Sequence, residues 1–206
     1  MLKLKKVAIT GGLSCGKSSV CRILKELGAY VVSADNIVHQ LLSSDTNLGQ
    51  QIINLIGPNV WVNNQLDRRR IARLVFHDPN LLQALEKLIH PTVYQEITKL
   101  YQEQCHLPKP PKLFVAEVPL LFESHRSAYF DKTVTIIAKD EICCKRFRRS
   151  TKSKKEDYNQ RMKQQMPIDD KASLSDYVIR NDGTLEELNN ATQTLFTNLL
   201  QPESYF

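Results

Sequence analysis

Residues 11–18 read Gly-Gly-Leu-Ser-Cys-Gly-Lys-Ser, the pattern G-x-x-x-x-G-K-S. It constrains the fold because it works in one setting only: a buried strand, a glycine-rich turn, then a helix whose first backbone N–H groups are unpaired. Both flanks supply that setting. Val7-Ala8-Ile9-Thr10 is a short apolar run suited to a buried strand. Val20, Ile23, Leu24 and Leu27 recur at helical spacing, and Gly28 follows as a stop. Glycines let successive N–H groups curl round phosphate oxygens with no Cβ in the way. The helix N-terminus adds positive partial charge at the same point. Gly12, Leu13, Ser14, Cys15, Gly16, Lys17, Ser18 and Ser19 are therefore expected to hold the phosphates of a nucleotide. Lys17 would reach the β- and γ-phosphates of ATP, and the Ser18 hydroxyl would be a ligand of Mg²⁺. A thiol at Cys15 has two readings: one acidified by the helix N-terminus, or a small side chain filling a loop position.

The 206 residues are enough for one sizeable core. No apolar run approaches the roughly 18 residues of a membrane span. The opening Met1-Leu2-Lys3-Leu4-Lys5-Lys6 has cations but no apolar stretch before Gly11, so no signal peptide is read. Five cysteines, an odd number without a C-x-x-C pair, point to reduced thiols in a cytoplasmic enzyme rather than a disulfide framework or zinc site. The net charge of +6 raises the question of nucleic acid. Its location argues otherwise. Lys145, Arg146, Arg148, Arg149, Lys152, Lys154 and Lys155 fall in one stretch with no acid, and without them cations and acids nearly balance. A duplex binder spreads its basic footprint over a face or groove.

Further apolar runs read as buried parallel strands: Tyr30–Ser33, Leu113–Glu117, Thr133–Ile137 and Tyr177–Ile179. A last helix starts at Thr184, where Thr184 and Glu187 form a capping box. Strands alternating with helices predict a doubly wound α/β parallel sheet of about five strands, of the P-loop NTPase type. The core is expected over 1–35, 112–140 and 172–206. The stretch 36–111 reads as a wholly helical insertion. It has a helix ended by Gly57-Pro58, another around Ile71–Val75, and a third capped by Asp78 that Pro91 interrupts and restarts. An insertion after the second strand would overhang the ligand edge of the sheet, which suits an acceptor-binding domain. Residues 141–171 read as an Arg-rich lid, a mobile hairpin that would close over ATP.

Two acids stand past strand ends. Asp35 has two readings of equal standing: a base that orients an acceptor hydroxyl for attack on the γ-phosphate, or a helix N-cap. Glu117 falls where a Walker-B acid would, with a metal role or a structural role; Glu123 shares those alternatives.

These motifs together resemble the dephospho-coenzyme A kinase family. The resemblance rests on Ile9-Thr10-Gly11-Gly12 with Gly16-Lys17-Ser18, Ala34-Asp35-Asn36-Ile37, Leu66-Asp67-Arg68-Arg69, and Ile89-His90-Pro91. It extends through Val118-Pro119-Leu120-Leu121-Phe122-Glu123, Arg161 with Gln164 or Gln165, and Asp176-Tyr177-Val178-Ile179 with Asn181 and Gly183. It implies transfer of the ATP γ-phosphate to the ribose 3′-hydroxyl of dephospho-coenzyme A. It also implies Asp35 as the catalytic aspartate, and Thr10, Lys17 and Ser18 at the phosphate and metal site. Asn181, Asp182 and Gly183 would lie near adenine. His90, Glu117, Pro119, Leu120 and Leu121 would serve the acceptor. With a one-residue shift Arg149 matches the lid arginine, ahead of Arg146 and Arg148. A nucleoside or nucleotide kinase shares Lys17, Ser18 and Asp35. A P-loop ATPase acting on nucleic acid would use the basic segment. Neither small-molecule reading involves nucleic acid or membrane.

Overall fold

The computed structural model describes residues 4–43, 46–62 and 65–202. Strand β1 (Lys6–Gly11) is buried along its whole length. That is why its sequence is a continuous apolar run rather than an alternating one. It lies at the centre of a five-stranded sheet with β2 (Tyr30–Ser33), β5 (Phe114–Glu117), β6 (Lys132–Ile137) and β7 (Tyr177–Arg180), in the order β2-β5-β1-β6-β7. β1 pairs in parallel with β5 on one side and β6 on the other, and β6 pairs in parallel with β7. The chain leaves β1 toward one edge and later returns to the other side of it. The crevice that binds ligands in such sheets therefore opens at the carboxyl end of β1, where residues 11–18 begin. The strand boundaries read from the sequence hold to within a residue.

Two compact units divide the chain. One runs to Val32 and resumes at Tyr101; the other is Ser33–Leu100, so one division falls within a helix. The first unit holds the sheet, helix α1 (Lys17–Glu26) after the loop, α6 (Asp140–Thr151), α7 (Lys155–Met162), α8 (Ile168–Ser173) and α9 (Leu185–Leu200). Its core joins Val7, Ile9, Val20, Leu24, Val134, Ile136, Phe147, Tyr158, Leu195 and Leu199. Thr184 caps α9 by accepting from the Glu187 N–H, while the Glu187 carboxylate accepts from the Thr184 N–H, the expected reciprocal box.

The second unit has its own core of Leu42, Leu48, Ile52, Val60, Leu66, Ile71, Val75 and Leu85. Helices α2 (Ala34–Ser43), α3 (Asn47–Ile56) and α4 (Arg68–Phe76) supply most of it. Two expectations are corrected here. The stretch is not wholly helical: β3 (Trp61–Val62) and β4 (Gln65–Leu66) pair antiparallel between α3 and α4. Strands of two residues show no periodicity to read. Nor does Pro91 break the chain. Helix α5 is continuous over Pro79–Cys105 with Pro91 inside it. The ring removes one N–H donor, a loss a long packed helix tolerates. Asp78 does cap α5, accepting from the N–H groups of Asn80 and Leu81.

Candidate active site

The loop 11–18 closes on backbone conformations that need glycine at two places. Gly11 has φ +140°, and a Cβ there would come within 2.1 Å of the Ile136 carbonyl oxygen. Gly16 has φ +103°, and a Cβ would meet the Asn181 amide nitrogen at 2.2 Å. Ser14 takes a left-handed turn at φ 57°. α1 starts at Lys17 with no side-chain cap, so its first N–H groups remain for a ligand.

Lys17 folds back on the loop, donating from Nζ to the carbonyls of Gly12 (2.8 Å) and Gly11 (3.3 Å). The Ser18 hydroxyl donates to Glu117 Oε1 at 3.0 Å. The register of β1 against β5 sets Ile9 opposite Glu117, which carries that carboxylate to the loop. Ser18 and Glu117 thus form a pair of hard oxygen donors. They fit Mg²⁺, which keeps several waters and takes few protein ligands beside substrate phosphates. Among the described residues no cluster of three or more His, Cys, Asp or Glu would cage an ion alone. Bound there, the ion would neutralise charge on the phosphate oxygens.

Glu123 is different. Its Oε1 pairs with Lys171 Nζ at 2.8 Å and accepts from the Met166 N–H. Lys171 is fully buried, and its ammonium also donates to the Pro119 carbonyl at 2.9 Å. The Thr10 hydroxyl donates to that same carbonyl at 3.1 Å. Thr10 and Lys171 therefore grip the segment that leaves β5. Sequence reasoning missed Lys171. It stands in an exposed-looking run, Asp169-Asp170-Lys171, and only its distant partners mark it. Of the stretch Pro119–Leu121 assigned to the acceptor, Pro119 and Leu120 are half-buried, whereas Leu121 is fully buried.

Asn181 is buried. Its Nδ2 donates to the Cys15 carbonyl at 2.8 Å, and its own carbonyl accepts from Arg146 Nη1 at 3.1 Å. Asp182 accepts from the Lys139 N–H at 2.6 Å. That bond holds its carboxyl below the usual range, with Arg180 assisting. Gly183 leaves room for the Glu187 carboxylate of the α9 box, which a Cβ would meet at 1.7 Å. Cys15 is not acidified. Burial pushes its thiol up, against the opposing pull of Lys17.

The basic segment is carried by two consecutive helices. α6 ends at Lys152, which takes a left-handed φ of 57°, and α7 follows. Phe147 and Tyr158 are buried one from each helix, with ring centroids 5.7 Å apart. The Tyr158 hydroxyl donates to Asp140 at 2.6 Å. Arg149 and Arg148 are exposed in the last turn of α6.

Asp35 and His90 belong to the second unit. Asp35 is not the cap of α2. It is exposed in the first turn, and the Ser33 hydroxyl one position before the helix accepts from the Asn36 N–H at 3.4 Å. His90 lies midway along α5, half-buried.

A central parallel sheet with strand, phosphate loop and helix at its switch point defines a kinase of the P-loop class. A shikimate kinase from Acinetobacter baumannii shares the fold at a TM-score of 0.58, with 14% identity, over 98% of this chain and 96% of that one. The family model described as dephospho-CoA kinase matches residues 5–187. A dephospho-CoA kinase from Protochlamydia amoebophila is 50% identical over 97% of this chain and 98% of its own. One from Chlamydia pneumoniae is 41% identical over 95% and 96%. The crystal structure of TT1252 from Thermus thermophilus superposes with a TM-score of 0.81 at 31% identity, covering 95% of this chain and 98% of that one. The chain belongs to the dephospho-CoA kinase family.

Proposed function

We infer that the chain transfers the γ-phosphate of ATP to the ribose 3′-hydroxyl of dephospho-CoA, the closing step of CoA synthesis. The observation that carries this is a complete phosphate loop, with Lys17 turned onto the Gly12 carbonyl and Ser18 bonded to Glu117, inside a chain matched to that family over residues 5–187. Little covalent chemistry falls to the protein in phosphoryl transfer, so its work is positioning and charge compensation. The loop N–H groups and Lys17 hold the β- and γ-phosphates. Ser18 and Glu117 hold Mg²⁺. Asp35 orients the acceptor hydroxyl and takes its proton, a role supported by its place in Ala34-Asp35-Asn36-Ile37. Arg149 meets the transferred phosphate from the end of α6. His90, Pro119 and Leu120 serve the acceptor. No helix among the described residues is long and apolar enough to cross a membrane; the cytoplasm is the setting proposed for this step.

The test is turnover of ATP and Mg²⁺ with dephospho-CoA, set beside nucleosides and nucleoside monophosphates. Phosphate is expected on the ribose 3′-oxygen of dephospho-CoA. Turnover of a nucleoside instead would replace this reading with the other small-molecule kinase. Lys17→Ala should lower kcat by about 10²–10³-fold, the usual loss for one preorganised electrostatic donor. Its melting temperature should hardly move, because the hydrogen bonds of Lys17 run to carbonyls of its own loop.

A further inference from the structure

Asn181 was expected beside adenine, yet its side chain is committed elsewhere. We propose that Asn181 is a positioning residue for the phosphate loop, acting on the triphosphate rather than on the base. The bond that supports this runs from Asn181 Nδ2 to the Cys15 carbonyl at 2.8 Å, between groups buried from solvent. A planar trans peptide sets its N–H opposite its C=O. Holding the Cys15 carbonyl toward Asn181 therefore aims the Gly16 N–H away from Asn181, as a phosphate-binding donor. Gly16 shows how close the two segments are: its missing Cβ would sit 2.2 Å from Asn181 Nδ2. The left-handed φ of +103° at Gly16 leaves this peptide unsupported by regular helix geometry, so the orientation needs an outside partner. Asn181 is itself fixed. Its N–H donates to Ile137 O at 2.8 Å and its carbonyl accepts from Arg146, tying the brace to β6 and α6.

The brace has a signature that an adenine contact lacks. Losing it weakens every ligand that uses the loop by one common factor, whatever base the ligand carries. Asn181→Ala should raise Kd for ATP, GTP and inorganic tripolyphosphate alike, by about tenfold, the cost of one buried hydrogen bond with its acceptor left unpaired. Asn181→Asp should be at least as damaging, because a carboxylate would face the Cys15 carbonyl with no donor. Both are measured by calorimetry on protein shown to be folded at the assay temperature by circular dichroism. A change confined to ATP, with tripolyphosphate affinity kept, would overturn the proposal in favour of base recognition. Unchanged affinity for all three would overturn it in favour of a purely packing role. Tripolyphosphate binding does not depend on the acceptor, so this outcome stands apart from that of the dephospho-CoA assay.

Discussion

Burying the Lys171 ammonium is tolerable only because Glu123 and the Pro119 carbonyl receive it. Lys171→Met keeps the length and removes the charge, stranding Glu123 without its cation. Urea unfolding should show a loss of about 3 kcal/mol, at the low end for a broken buried pair since Glu123 keeps some exposure. Lys171→Met with Glu123→Gln removes both charges and leaves an acceptor for the Met166 N–H, so part of the loss should return. Additive losses would contradict the pairing. Asp35 gives the opposite pattern. Ser33 caps α2, so Asp35→Asn should leave the unfolding midpoint in place while the single-turnover rate falls by about 10²–10⁴-fold with ATP affinity kept. A normal rate would remove Asp35 from the chemistry.

Helices α6 and α7 set how the basic segment behaves. Each puts one aromatic peg into the core, Phe147 and Tyr158, while Lys145, Arg148, Arg149, Lys152, Lys154 and Lys155 stay exposed. The pegs resist detachment. The exposed cations repel one another, with screening over a Debye length of about 10 Å. Hydrogen exchange should therefore be slow in α6 around Phe147 without ligand, and fast at the link Lys152–Lys154. ATP should slow the link. Arg149→Ala should lower kcat more than Lys152→Ala or Lys154→Ala, because α6 points that arginine from a rigid element while the link lysines hang from a turn. Equal small losses from all three would reduce the segment to a diffuse attractor of anions.

The sheet as a whole is tied at its β7 edge by acid-sensitive bonds. Asp176 accepts from the Thr133 N–H at 2.7 Å and the Thr133 hydroxyl at 2.8 Å, with Lys132 at 3.6 Å. Burial pushes the Asp176 carboxyl up, but these donors outweigh it and hold the group below its ordinary value. A lowered carboxylate contributes stability that is complete above the unfolded pKa of roughly 3.9 and is lost as pH falls through the folded value. The melting temperature should thus fall steeply below about pH 4. Asp176→Asn should start lower at neutral pH and lose less on acidification. Parallel pH curves for the two proteins would show that other carboxylates carry the acid transition.

The loop 11–18, the run of β1, the Asp78 cap and the Thr184–Glu187 box were all legible in the amino-acid order. Each is set by neighbours a few residues away, where periodicity, capping and glycine geometry operate. The class of site followed from them, and the late motifs narrowed it to one family. The partners inside the site were not legible. Ser18 meets Glu117 because β1 and β5 share a register, Asn181 meets Cys15 across 166 positions, and Lys171 is buried only because Glu123 and Pro119 come to it. Pro91 could stay in a helix because packing along α5 outweighs one missing donor, and Asp35 was relieved of capping because Ser33 ends β2 at the right turn. Local rules act along the chain and are written in it. Which distant groups end up within hydrogen-bonding reach is settled by strand order and register, and those exist only once the sheet has formed.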